Sequence, residues 1–367
     1  MIDYKKLAGE NITNLIPYQP GKPIKEVERE LGVKKAVKLA SNENPLGIPE
    51  KAKKAVIENL DEMNRYPLGD AFYLRKKLSE KLNISGKNLI FGTGSNEIIE
   101  LLIRTFVKSG ETVLSFAPSF SVYGIIARAS GSSCTWVNMT EDFRVDFDSI
   151  KRAITEKTRI IFLSNPNNPT GTYFTEEKLV NFLDSIRDDI IVALDEAYVE
   201  YVDANDFPDS MKLLKKYKNL VIMKTFSKAY GLAGFRIGYA IADEVAIDML
   251  NRVRQPFNVN MPAQIAAEAA LDDIDFLRRS IKINREGKLY LYKEFEKLKL
   301  KYFPTQANFI LVEVGDGKKV FEELLKEGVI VRYLGPNLSK YIRVSIGLEE
   351  ENKVFISSLS NVIGKLK

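Results

Sequence analysis

Seven short strand-like runs, several of them continuously apolar, constrain this chain more than anything else in it. They are Asn88 to Phe91, Thr112 to Phe116, Ser133 to Val137, Arg159 to Leu163, Ile190 to Leu194, Leu220 to Lys224 and Arg236 to Ile241. A strand with one wet face alternates apolar and polar residues, whereas a strand covered on both faces reads as an unbroken apolar run. Helix-like segments separate these runs. The alternation predicts an α/β fold in which a mostly parallel sheet lies between helices. Ligands of such sheets sit beyond the C-terminal ends of the strands. The polar residues that immediately follow each run are therefore the first candidates for function.

The flanking sequence has a different rhythm. Residues 1 to about 35 read as an arm and a helix. Asp243 to Leu271 and Asp275 to Leu300 are long helical stretches, the first interrupted by Pro256 and Pro262. Lys288 to Lys301 mixes lysine and glutamate with apolar spacing and predicts an amphipathic helix with a solvated face. A second set of strand and helix signals follows: Asn308 to Val314, a helix from Lys318 to Lys326, Val329 to Tyr333, Tyr341 to Ser345, and a last helix from Glu349. The expected organisation is an N-terminal arm and helix over 1–35, a large domain over 36–265 and a small domain over 266–367 that packs with the N-terminal segment. No repeats or flexible linkers interrupt it.

Composition narrows the chemistry. The 367 residues are enough for two domains and a large core. Histidine is absent, which removes Ser-His-Asp and Cys-His catalysis and the commonest metal ligand. Proton transfer near neutrality must come from another group, and a lysine released from a Schiff base would serve. The single cysteine, Cys134, forbids an intrachain disulfide and favours a cytoplasmic setting, as does a start without the apolar core of a signal peptide. No apolar run reaches membrane-spanning length. The net charge of +5 carries no basic block or basic-aromatic stripe, so nucleic acid is not an expected partner, while anionic small molecules are.

The stretch from Thr225 to Tyr239 concentrates the chemistry. Lys228 sits among Ser227, Ala229 and Gly231, and Arg236 follows eight positions later. A desolvated lysine, or one set near other positive charge, forms a Schiff base with an aldehyde. Arginine grips phosphate through a rigid bidentate fork. A cofactor carrying both groups is pyridoxal 5'-phosphate. Two solvated surface charges would give the same letters, but these follow an apolar run and lie among glycines, and buried charges need partners. Candidate partners end two other runs. Asn168 lies in the turn Ser164-Asn165-Pro166-Asn167-Asn168-Pro169-Thr170-Gly171, which reads equally as a plain surface loop. Asp195, after Ile190 to Leu194, is placed to pair with a pyridinium nitrogen, although an acid there also serves as a helix N-cap.

Asn-Pro-Thr-Gly, Asp-x-x-Tyr, Ser-Lys and a downstream arginine, in that order, resemble the fold-type I aminotransferases of the aspartate aminotransferase superfamily. The resemblance covers nearly the whole chain. Asn14 to Pro23, Lys38 to Gly47, Arg65-Tyr66-Pro67, Gly328 to Arg332 and Tyr341 to Gly347 are similar to the histidinol-phosphate aminotransferase branch, in part shared with its close relatives. The fold implied is a large domain with a mostly parallel seven-stranded sheet between helices, plus a small α+β domain built from both chain ends.

The resemblance also implies roles. Lys228 would be the Schiff-base lysine, Asp195 the partner of the pyridine nitrogen, and Tyr198 and Asn168 donors to the cofactor phenolate oxygen. Ser95 and Asn96 at a helix start, with Thr225, Ser227 and Arg236, would hold the cofactor phosphate. Phe120 would stack on the ring. Tyr66 would reach the phosphate of a neighbouring subunit, which implies a homodimer with shared active sites. Arg343, Arg332, Tyr18 and Asn44 would receive substrate. Arg332 could also be a surface arginine on a strand edge, and Asn44 a loop-turn residue. The activity implied is transamination between L-histidinol phosphate and 2-oxoglutarate. An aromatic amino acid aminotransferase would share the cofactor residues, and a threonine-phosphate decarboxylase, a close relative that also binds a phosphate, would release CO2 instead. A pyridoxal-phosphate-binding regulator would carry a DNA-binding helix-turn-helix before the arm-like start.

Overall fold

The structure, a computed structural model, describes residues 2–17, 21–33 and 35–366. The seven runs form one sheet in the order Leu89–Gly92, Gly238–Ile241, Leu220–Thr225, Ile191–Asp195, Thr158–Ser164, Thr112–Ala117 and Ser133–Asn138. The last five are parallel neighbours, and only Gly238–Ile241 runs against both strands beside it. Alternate residues of each central strand enter opposite cores. Val192 and Leu194 join Leu114, Ile161 and Ile222 on one face, while Ala193 joins Ile160, Phe162 and Met223 on the other. Helices Ser95–Phe106, Val122–Ala129 and Glu244–Val253 cover the second face. Phe72–Leu82, Glu176–Leu183 and Met261–Ala270 cover the first. Each fully buried Val, Leu or Ile on these faces contributes about 1.5–3 kcal/mol, so the apolar runs themselves fix the layered arrangement.

Several boundaries depart from the sequence reading, each for a local reason. The run expected from Arg236 enters the sheet only at Gly238, because Arg236 has a φ of 60° and cannot extend the strand. The long helical stretch after Asp243 is two helices, Glu244–Val253 and Met261–Ala270, with Pro256 in the loop between them. Pro262 does not interrupt anything. It occupies the first turn of the second helix, where a missing N–H is harmless, and the Asn260 side chain accepts from Ala263 N at 2.8 Å to cap that turn. Helix Ile274–Lys297 spans 24 residues. Its lysine-rich second half is not wholly solvated: Lys288 is buried, and its Nζ meets Asp203 Oδ2 at 2.9 Å.

The small domain is an antiparallel sheet in the order Arg332–Tyr333, Tyr341–Ser345, Phe309–Glu313 and Tyr302–Phe303, backed by helices Gly317–Lys326 and Glu349–Leu366. The run Val329 to Tyr333, expected as one strand, divides at Val331. Its first half, Val329–Ile330, instead pairs in parallel with Val37–Lys38. Residues 37–39, expected with the large domain, thus pack into the small one, where Leu39 joins Leu291, Ile310 and Val344. Among the described residues no helix is long and apolar enough to cross a membrane, and no cluster of acidic or sulfur ligands could hold a metal. Cys134 is half-buried on the sheet, and burial pushes its thiol up to about 12, far from a thiolate at neutral pH.

Candidate active site

A cavity of about 410 Å³ opens where the parallel strands end and the small domain begins. Strand Ile191–Asp195 delivers Asp195 into it and strand Leu220–Thr225 delivers Thr225, followed by Ser227 and Lys228. The loop after Thr158–Ser164 brings Asn168. That loop is no plain surface turn: Asn165, Asn167 and Thr170 are all buried. Asn165 Nδ2 donates to Phe174 O at 3.1 Å and its Oδ1 accepts from Phe174 N at 2.9 Å, while Asn167 Nδ2 reaches Pro118 O at 2.9 Å. The polar side chains replace the backbone pairing a strand would have provided.

Lys228 faces this cavity with Nζ donating to Ser41 O at 3.2 Å. Burial, reinforced by the positive charge of Arg343, pulls its ammonium down to about 8, against the raising effect of Glu43. At pH 7 roughly a tenth of such a lysine is the neutral amine, compared with less than about a thousandth for an ordinary one. Asp195 is raised by burial, but Tyr123 Oη donates to its Oδ2 at 2.7 Å and Ala197 N to its Oδ1 at 3.2 Å, both favouring the carboxylate. Tyr123 is fully buried, stacked on Phe162 at 4.6 Å and edge-on to Phe120 at 5.6 Å. Behind Asp195, Glu196 meets Lys224 Nζ at 3.1 Å. Burial alone would lower Lys224, yet Glu196 and Glu200 outweigh it and hold the ammonium above its ordinary value.

The opposite wall shows whether a phosphate fits. Helix Ser95–Phe106 starts at Gly94 with no side chain capping its first N–H groups, so the amide dipoles of Ser95 and Asn96 face the cavity. Gly94 has a φ of 75°, and a Cβ there would lie 2.6 Å from Arg236 Nη2; a Cβ on Gly238 would lie 2.6 Å from Ser95 N. The two glycines let a guanidinium and a helix start approach within one cradle. Thr225 Oγ1 donates to Ser227 Oγ at 2.9 Å on its floor. Backbone donors, hydroxyls and an arginine converge as a phosphate group requires, next to a lysine with a lowered pKa.

The small domain supplies the remaining wall. Arg343 is 8% exposed, donates from Nη1 to Asn168 Oδ1 and from Nη2 to Ala40 O, each at 2.6 Å, and lies 5.2 Å over the Phe309 ring. Arg332 stands directly opposite Arg343 in the antiparallel ladder, and both line the cavity.

Not every candidate converges here. Asn44 is turned away: its Nδ2 donates to Ala229 O at 2.9 Å and Ser280 Oγ at 2.8 Å, and it lines a neighbouring cavity of about 500 Å³. It supports the backbone after Lys228 rather than the cavity wall. Asn42, two residues earlier, occupies that wall instead. Tyr66 is 79% exposed and stacks on Phe257 at 4.7 Å, outside this chain's cavity. Tyr18 lies outside the described residues. Sequence reading also missed Tyr123. The only signal for it was its i,i+3 spacing from Phe120, which puts both rings on one side of a helix start.

A lysine of lowered pKa, a supported carboxylate and a phosphate cradle at the ends of parallel strands define a cofactor-dependent transferase site on a fold-type I scaffold. The comparisons agree. Residues 34–359 match the family described as aminotransferase class I and II, and the chain belongs to that family. It is 45% identical over 361 residues to histidinol-phosphate aminotransferase 1 of Idiomarina loihiensis, covering 98% of each chain. It is 45% identical over 359 residues to a histidinol-phosphate aminotransferase of Caldicellulosiruptor saccharolyticus, covering 96% of this chain and 99% of that one. Among solved structures, the histidinol-phosphate aminotransferase of Sinorhizobium meliloti in complex with pyridoxal-5'-phosphate superposes with a TM-score of 0.90 at 25% identity, covering 98% of both chains.

Proposed function

We propose that this chain is a pyridoxal-phosphate-dependent transaminase that moves an amino group from L-histidinol phosphate to 2-oxoglutarate, giving imidazole-acetol phosphate and L-glutamate in L-histidine biosynthesis. The observation that carries the substrate assignment is the cross-strand pair Arg332 and Arg343, two like charges held opposite each other in the same cavity as Lys228. Two guanidinium forks lining one cavity suit an exchangeable phosphate dianion, or a carboxylate in the second half-reaction. The names of the relatives at 45% identity support the same reading.

Pyridoxal phosphate, when bound, supplies an aldehyde for the amino group and a ring that takes up the electrons left by the departing α-proton. The chain's own groups do the rest. Ser95, Asn96, Thr225, Ser227 and Arg236 would anchor the phosphate, and Phe120 would lie against the ring. The Asp195 carboxyl group, which accepts from Tyr123 Oη, would accept the proton-bearing ring nitrogen's hydrogen bond. Asn168, whose Oδ1 is taken by Arg343, and Tyr198 would donate to the ring oxygen. Lys228 Nζ would carry the proton between the substrate's α-carbon and the cofactor.

The reading includes a second copy of the chain. Tyr66 stacks on the exposed Phe257, and Leu68, Phe72 and Tyr73, close by in the chain, are exposed too, apolar surface suited to a homodimer in which Tyr66 serves the neighbouring cavity. A cytoplasmic setting goes with the lone cysteine. The test is a single half-reaction. The yellow protein is mixed separately with L-histidinol phosphate, L-phenylalanine and L-threonine phosphate, and its visible absorbance is followed. Rapid bleaching with histidinol phosphate alone is expected. Bleaching chiefly with phenylalanine makes it an aromatic aminotransferase, and CO2 from threonine phosphate makes it a lyase.

A further inference from the structure

A mostly buried segment, residues 39–42, runs between the two domains and is fastened to strand Tyr341–Ser345 at three points. Ser345 N donates to Leu39 O at 2.8 Å, Arg343 Nη2 to Ala40 O at 2.6 Å, and Asn42 N to Ser345 Oγ at 2.8 Å. Asn42 is 1% exposed with a φ of 55°, a backbone that asparagine tolerates better than other non-glycine residues. Its carbonyl accepts from Asn308 Nδ2 at 3.0 Å. The side chain bridges the domains: Oδ1 accepts from Ser345 Oγ at 3.0 Å, and Nδ2 donates to Tyr198 Oη at 3.0 Å.

We propose that Asn42 is a positioning residue whose amide holds the Tyr198 phenol oxygen so that its hydrogen points into the cavity, and that Ser345 ties this setting to the small domain. A phenol carries one hydrogen. With an N–H donor on the Asn42 side, that hydrogen is directed elsewhere, and Tyr198 lines the cavity. On the function proposed above, on which this inference rests, it meets the ionised oxygen of the cofactor ring. Ser345 and Arg343 share one short strand, so an anion drawn to Arg343 acts on the same element that orients the amide.

The test titrates the visible band of holoenzyme reconstituted with pyridoxal phosphate, in the wild type, Asn42→Gly, Tyr198→Phe and the double variant. Glycine adopts a φ of 55° without strain, so the backbone is kept while the amide is removed. A donor on an ionised oxygen favours the deprotonated chromophore, so its loss raises the midpoint. Asn42→Gly is expected to raise it by about half to one pH unit, the size of one hydrogen bond, and to add nothing in the Tyr198→Phe background. An unchanged midpoint, or the same shift in both backgrounds, overturns the proposal. Ser345→Ala, which also serves if Asn42→Gly does not fold, is expected to shift the midpoint the same way by less; no shift removes the link to the small domain. Failure of the underlying function looks different: the wild type would then lack any visible band that Lys228→Ala abolishes.

Discussion

At the large-domain end of the cavity, the buried acids Asp195 and Glu196 have partners inside the fold. Asp195 accepts from Tyr123 and Ala197 N, and Lys224 lies against Glu196. At the small-domain end, two arginines face each other across one ladder. The first arrangement is preorganised around something that stays, because its partners are already in place before any ligand arrives. The second brings two guanidinium groups to one cavity, a pair of forks that suits an anion that comes and goes. On the proposed function, one end of the cavity would hold a resident cofactor and the other would exchange substrates.

Substitutions can break that contrast. Lys228→Ala should have the largest effect, lowering the half-reaction rate by about 10⁴-fold while the cofactor still binds weakly, read by stopped-flow absorbance. Normal turnover would dismantle the site. Arg332→Ala should raise KM for L-histidinol phosphate by about 10- to 100-fold and affect glutamate less, in steady-state assays with each substrate varied. Equal losses would take Arg332 out of phosphate selection. Reconstitution of the apoprotein needs the neutral Lys228 amine. Its rate should rise about tenfold per pH unit and level off near the value of about 8 to which the lysine is lowered, whereas a rise continuing to about pH 10 would mark an ordinary lysine. Tyr123→Phe removes one donor to Asp195 and should weaken cofactor affinity about 3- to 10-fold by fluorescence titration of the apoprotein.

The sheet was legible because its strands are covered on both faces, and continuous apolar runs such as Ile190 to Leu194 have few other uses. The residues that end those runs, Asn168, Asp195 and Lys228, were legible for the same reason: the strand fixes where its successor stands. What was not legible depends on geometry that letters do not carry. Asn42 and Asn44 sit in one polar stretch, and only the left-handed backbone at Asn42 decides which of them faces the cavity. Tyr123 reads as a helix residue until the strand carrying Asp195 is placed beneath it. Pro262 looks like a helix breaker until the cap at Asn260 shows that a helix starts there.

The pairing of Val37–Lys38 with Val329–Ile330 has a consequence for how the molecule is made. About 290 residues separate those partners, so during synthesis the early strand must wait for nearly the whole chain. The large sheet has all its strands by Ile241 and can assemble first. The phosphate cradle would then exist while the wall bearing Arg332 and Arg343 has yet to leave the ribosome, and a nascent chain could hold its cofactor before it could recognise a substrate.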